Sequence, residues 1–188
     1  ALHRRGGDAA EALTTARTIF GERADIVAPQ AARPCNPFQS NLRSAEGYQG
    51  FSWYLGDEPE RPEAASFGDA LEQLDVFVRS LSRPFVLSGE GQGAALAMAL
   101  GLHGPENLVG VHASAAGMPS IDGWRLPEVT LEHVEFLLAD LDAAPAFHSR
   151  ALLDQRRAPV LPVEILTPAR ASRWLEQLEV VPRSDRRG

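Results

Sequence analysis

Lysine is missing from this 188-residue chain: all 18 basic side chains are arginine, against 25 aspartates and glutamates. That excludes a Schiff-base or serine–lysine mechanism, and all-arginine usage points to a GC-rich genome. The net charge of −7 and pI near 5.2 argue against nucleic acid or an anionic membrane surface as a partner. A single cysteine, Cys35, cannot form an internal disulfide, so a reducing cytoplasm is the expected compartment. No run approaches the ~20 apolar residues that cross a bilayer, and the given residues show no charged-then-apolar stretch that would read as a leader. The chain opens at Ala1 without a methionine, and the expectation is that something upstream was removed or lies outside this sequence. His103, His112, His133 and His148 show neither the paired spacing of metal ligands nor a companion cysteine, so neither a metal nor a cofactor is expected.

What is present is enough apolar residue, 44% of the chain, for one domain over 1–182, followed by a polar tail at 183–188. Ala1-Leu2-His3 reads as a strand stub before the loop Arg4-Arg5-Gly6-Gly7-Asp8, with His3 ordering that loop. Asp8 is a plausible N-cap for a helix over 9–20, in which Ala9, Leu13, Ala16, Ile19 and Phe20 share a face. Residues 25–29 read as a short buried strand. From 30 to 66 the periodicity dissolves into proline, asparagine, serine, glycine and aromatics, as in a packed loop near a site. Helical spacing resumes over 67–81. Strands are expected at 85–87, 108–113, 134–139 and 163–166, with helices near 94–102, 147–157 and 169–178. Strand and helix alternate, which implies a mostly parallel sheet with helices on both faces, a three-layer α/β sandwich.

The centre of the pattern is Gly89-Glu90-Gly91-Gln92-Gly93, between the apolar run Phe85-Val86-Leu87 and the helix-forming run from Ala94 to Leu102. Glycines at both ends of such a turn let strand and helix approach closely. In α/β-hydrolases the corresponding turn is Gly-x-Ser-x-Gly, with the serine as nucleophile; here the middle residue is Gly91. A Gly-rich strand-to-helix turn in some other α/β protein is the alternative reading. Ser88, at the end of the strand, reads as a packing residue, and Glu90 as a solvated or structural carboxylate. Trp53 and Trp124 are candidates to wall an apolar acyl pocket, or else anchor their loops.

Taken in order, Leu2 to Asp8, Ile26-Val27-Ala28-Pro29-Gln30, Ser52-Trp53-Tyr54 and Gly89 to Leu96 resemble the bacterial phospholipase/carboxylesterase family, compact α/β-hydrolases related to acyl-protein thioesterases. The resemblance implies an α/β-hydrolase fold. It puts the nucleophile at Gly91, the oxyanion-hole amides at Arg5 and Gln92, and the triad acid at Asp142, with Asp140 as runner-up or either aspartate as a mere helix cap. The family's glycine after the histidine is Arg4 here, which would strain the loop if that position needs positive φ. The base histidine would fall between Leu166 and Trp174, yet the last histidine of the chain is His148. Two of three triad members are absent, so the resemblance implies a degenerate member. Its expected role is to bind a small acyl, ester or carboxylate ligand. The alternatives are an interaction protein that pairs with itself or an active relative, and a hydrolase using other residues.

Overall fold

In the computed structural model the described residues are 1–21, 24–35, 50–56, 58–124, 127–139, 143–163 and 166–178. Four apolar stretches become a parallel sheet: β3 (Phe85–Glu90), β4 (Leu108–Ser114), β5 (Glu135–Ala139) and β6 (Val160–Val163), in that spatial order. Leu2 adds a parallel bridge to Gly89 on the outer side of β3, so the expected strand stub is there as a single pairing. A small antiparallel pair, β1 (Arg33–Pro34) and β2 (Phe51–Ser52), lies within the long excursion. Phe38 and Tyr48 of that excursion fall outside the described residues.

Alternation along the strands sorts the side chains into two cores. Leu87, Val111, Ala113, Phe136 and Leu138 pack with α2 (Ala64–Arg79), α3 (Gln92–Leu102) and Leu153 of α4 (Ala143–Gln155). On the opposite face Val86, Leu137 and Ala139 meet α1 (Ala9–Phe20) and α5 (Pro168–Gln177). Helices on both faces of a parallel sheet make the expected three-layer α/β sandwich. The helix α3 is buried on every side, which its uniformly Ala/Leu/Met/Gly composition permits. No described helix is long and apolar enough to cross a membrane.

The expected helix boundaries hold within a few residues. The helix α1 spans the residues expected of it, and the Asp8 carboxylate accepts from the Glu11 amide at 2.8 Å. The helix α2 starts three residues early because Glu63 caps it, accepting from the Ala65 and Ser66 amides.

Two strand expectations are corrected. Residues 25–29 form no strand: Val27 is exposed, and one bond, from the Ala1 amino group to the Val27 carbonyl, joins the segment to its neighbour. The last strand starts earlier than expected and is described over Val160–Val163; residues 164 and 165 of the expected span lie outside the described residues. Pro162 is accommodated because β6 lies at the end of the described sheet, where a proline need not donate to a neighbour.

Candidate functional site: the elbow at the carboxyl end of β3

The bend between β3 and α3 is made at one residue. Gly91 has φ 54° and ψ −119°, a conformation sparsely open to residues with a side chain. Its amide donates to the Ser114 carbonyl at 2.9 Å and its carbonyl accepts from Ala95, so it is tied to β4 on one side and to the first turn of α3 on the other. The flanking glycines do a different task. A Cβ on Gly89 would lie inside the Gly93 carbonyl, and one on Gly93 inside the Leu2 carbonyl. Strand, helix and loop therefore meet backbone to backbone around residue 91.

The loop carrying Arg4 and Arg5 lies over this bend. A Cβ at residue 91 would come 3.5 Å from the Arg4 Cβ, an ordinary contact. The Arg4 guanidinium is held aside by Glu11, with Nε to Oε1 at 2.9 Å. The strain anticipated for Arg4 is absent: the positive φ in this loop falls on Gly6, at 78°. Arg5 donates from its guanidinium to the Gly56 carbonyl at 2.8 Å. Beneath the loop the His3 ring is fully committed. Its Nε2 accepts from the Ala31 amide, which leaves the proton on Nδ1 to donate to the Arg4 carbonyl at 2.8 Å. As expected from the sequence, His3 orders its own loop.

Gln92 occupies the position after the missing nucleophile. Its side chain is buried; Oε1 accepts from the Trp53 amide and Nε2 donates to the Tyr54 carbonyl. The Gln92 amide stands in the first turn of α3, where no intrahelical acceptor exists. The two amides that the resemblance assigns to an oxyanion hole thus belong to the loop and the helix that flank Gly91. Asp142 and Asp140 lie outside the described residues; β5 ends just before them, beside Ser114 of β4.

The tryptophans are anchored. Trp53 is 6% exposed, donates its indole N–H to the His3 carbonyl at 2.8 Å and lies against the His3 ring. Trp124 packs edge-on against Phe67 and stacks on His103. Neither lines the cavity beside the elbow or the one along the open side of β3.

One pairing escaped the sequence reading. Ser88 and His112 are register partners in β3 and β4, and Ser88 Oγ lies 2.9 Å from His112 Nδ1. They face α1 and α5, with Phe20 edge-on to the imidazole. The alternation of each strand was visible, but neither strand's segment by itself sets how the two align. Among the described residues His112 Nε2 is buried without a partner, and burial pushes this imidazole down to about 4. Among the described residues no three histidine, cysteine or acidic side chains cluster so as to hold a metal ion.

That buried ring makes stability pH-dependent. The unfolded chain takes up a proton at residue 112 below the ordinary imidazole value of about 6.5, while the native chain refuses it until about pH 4. Stability is therefore complete above that ordinary value, falls as pH drops through the window, and levels off below it. His3, also lowered chiefly by burial, acts in the same direction. The expected loss from His112 alone is about 2 kcal/mol by about pH 5, read from urea midpoints. A His112→Phe variant should lose most of that dependence.

A strand-elbow-helix at the carboxyl edge of a parallel sheet, with helices on both faces, defines an α/β-hydrolase fold. Solved structures agree. The chain is similar to a carboxylesterase from Mesorhizobium loti, with TM-score 0.70 and 21% identity over 93% of this chain and 86% of that one. It is similar to the esterase PE8, with TM-score 0.61 and 22% identity over 96% and 90% of the two chains. The structure of YahD with malic acid gives TM-score 0.66 at 15% identity, covering 94% of this chain and 91% of that one. At these identities the likeness establishes the fold, which is that of carboxylesterases. No protein-family model matches the chain, and no curated protein matches it in sequence.

Proposed function

We propose that this protein is a ligand-binding relative of carboxylesterases that does not carry out the serine-hydrolase reaction. The support is residue 91: a backbone bent as a nucleophile elbow, with no side chain on it. A triad works as a unit, in which the serine needs a histidine to take its proton and the histidine needs an acid to orient it. Between Leu166 and Trp174, where the fold would supply that histidine, the chain reads Thr167-Pro168-Ala169-Arg170-Ala171-Ser172-Arg173. The ligand is a small acyl, ester or carboxylate group, held at the elbow by the amides of Arg5 and Gln92.

A hydrolase using other residues is the second reading, and the Ser88–His112 hydrogen bond is the observation in its favour. Two properties weigh against it. An imidazole near 4 is a weak base at neutral pH, and among the described residues no acid orients its Nε2.

The test is exposure to a fluorophosphonate probe and to p-nitrophenyl butyrate. The expected results are no covalent labelling and hydrolysis at the rate of buffer alone. Turnover at a typical esterase rate would overturn the proposal, and its loss in Ser88→Ala would establish the second reading.

Gly91→Ser should restore no activity, because it returns the hydroxyl without a proton acceptor. The variant should still fold, since the added Cβ meets Arg4 at an ordinary distance. Forcing a side chain into φ 54° should lower stability by about 1–3 kcal/mol, measurable by urea unfolding.

A further inference from the structure

A groove of about 510 Å³ runs along the edge of β3 that β4 does not cover, with Ala16 and Phe20 of α1 in its lining. Its two long sides are residues 85–88 of β3 and the segment around Val27. At one end Ala1 spans the gap, its amino group on the Val27 carbonyl at 2.7 Å and the next residue, Leu2, paired with β3. At the other end Arg83 reaches across to Asp25 at 3.0 Å.

We propose that this groove seats one further β-strand of about four residues, parallel to β3 and joined to the amino side of Ala1. The backbone marks the place. Alternation turns the amides of Phe85 and Gly91 toward β4, where they donate to the Asn107 and Ser114 carbonyls. Residues 88 and 90 face the other edge: the Ser88 carbonyl accepts from the Leu2 amide, and the Glu90 amide donates to the Leu2 carbonyl. Below that pairing the edge is bare. Among the described residues, the amide and carbonyl of Val86 and the amide of Ser88 have no backbone partner on this side. Leu2 is in parallel register with Gly89, so the residue two places before it would face Leu87, donating to the Val86 carbonyl and accepting from the Ser88 amide.

The far side of the groove gives an independent reason. Asp25-Ile26-Val27-Ala28-Pro29 has the apolar composition of a buried strand, yet Val27 is 54% exposed and the segment belongs to no described sheet. A strand laid between it and β3 would pair with both. The occupant must be apolar as well as extended, because Phe77, Val78, Leu81 and Phe85 line the space. A segment joined to Ala1 is favoured over a separate chain, since Ala1 already leads into the groove and a short covalent link gives a high effective concentration. Left bare, such an edge invites pairing with other molecules.

The experiment compares the 188-residue chain with two extended versions, carrying Thr-Val-Val-Val or Asp-Gly-Ser-Gly ahead of Ala1, by amide hydrogen exchange and urea unfolding. With Thr-Val-Val-Val, protection of the Val86 and Ser88 amides should rise by about a hundredfold relative to that of Leu87, which faces β4, and the urea midpoint should increase. Asp-Gly-Ser-Gly should change neither. Equal effects of the two extensions, or no added protection from either, would overturn the proposal. Two further outcomes would overturn it in favour of another occupant. Equal protection by free acetylated Thr-Val-Val-Val at equimolar concentration would assign the groove to a separate chain, and concentration-dependent protection of the unextended protein, with a dimer in sedimentation, would assign it to a second copy. None of these outcomes bears on the elbow, because Gly91 does not line the groove.

Discussion

Gly89→Ala is expected to abolish the native fold, leaving protein that is insoluble or that lacks a cooperative unfolding transition. The methyl group would enter the space of the Gly93 carbonyl, and the next nearest atoms, Gly93 C and the Ala94 amide nitrogen, are also backbone. A clash with a flexible side chain is relieved by a rotamer change, but here strand and helix must separate. Separation would break the contact between β3 and the first turn of α3, which is buried on every side. A cost of about 4 kcal/mol or more follows, a large fraction of the 5–15 kcal/mol typical of a domain. Gly68→Ala is the control. Gly68 sits exposed in α2 with nothing near its missing Cβ, and alanine there should raise stability by about 0.5–1 kcal/mol through helix propensity. Circular dichroism and urea unfolding of the two variants should diverge in sign. A cooperatively folded Gly89→Ala protein of near-native stability would mean that β3 and α3 do not meet as described.

Trp174→Ala should cost about 3–5 kcal/mol and loosen α5 from the sheet. Trp174 is 2% exposed and lies over Gly110, where a Cβ would meet its ring. It joins Ala16, Phe20 and Leu137 in the second core, so it also connects α5 to α1. Its indole N–H donates to Glu135 Oε1 at 2.5 Å, and truncation removes that partner from a half-buried carboxylate. The helix depends heavily on this anchor, because it has ten residues and its Thr167 N-cap makes no side-chain bond. Arg173→Ala, an exposed change one residue away, should stay within about 0.5 kcal/mol of the parent. Hydrogen exchange should show α5 amides losing protection in Trp174→Ala while those of α3 keep theirs.

The site was legible to different depths at different residues. Gly91 was readable as the elbow because glycine spacing, a preceding apolar run and a following helix-forming run all agree within eighteen residues. Asp8 was readable as a cap for the same local reason. Trp53 was not, since a loop aromatic that walls a pocket and one that pins its loop have the same sequence; its bond to the His3 carbonyl spans fifty positions. The strand at 25–29 was misread because an apolar run requires a paired neighbour to become a strand, and pairing is not a property of the run. Pro162 lies inside the last strand because an edge strand tolerates what a central one does not.

By itself the sequence determined the layered α/β order, the place of the sharp bend, and the absence of a hydroxyl at residue 91 and of any histidine after 148. These depend on local propensity, periodicity and residue identity, which act over a few residues. Only the tertiary structure decided that Arg4 lies over the bend, that Ser88 meets His112, and that a cavity opens beneath α1. Those follow from the register of parallel strands joined by long crossovers. That register is set by how side chains from distant segments fill shared space, a choice no single segment encodes.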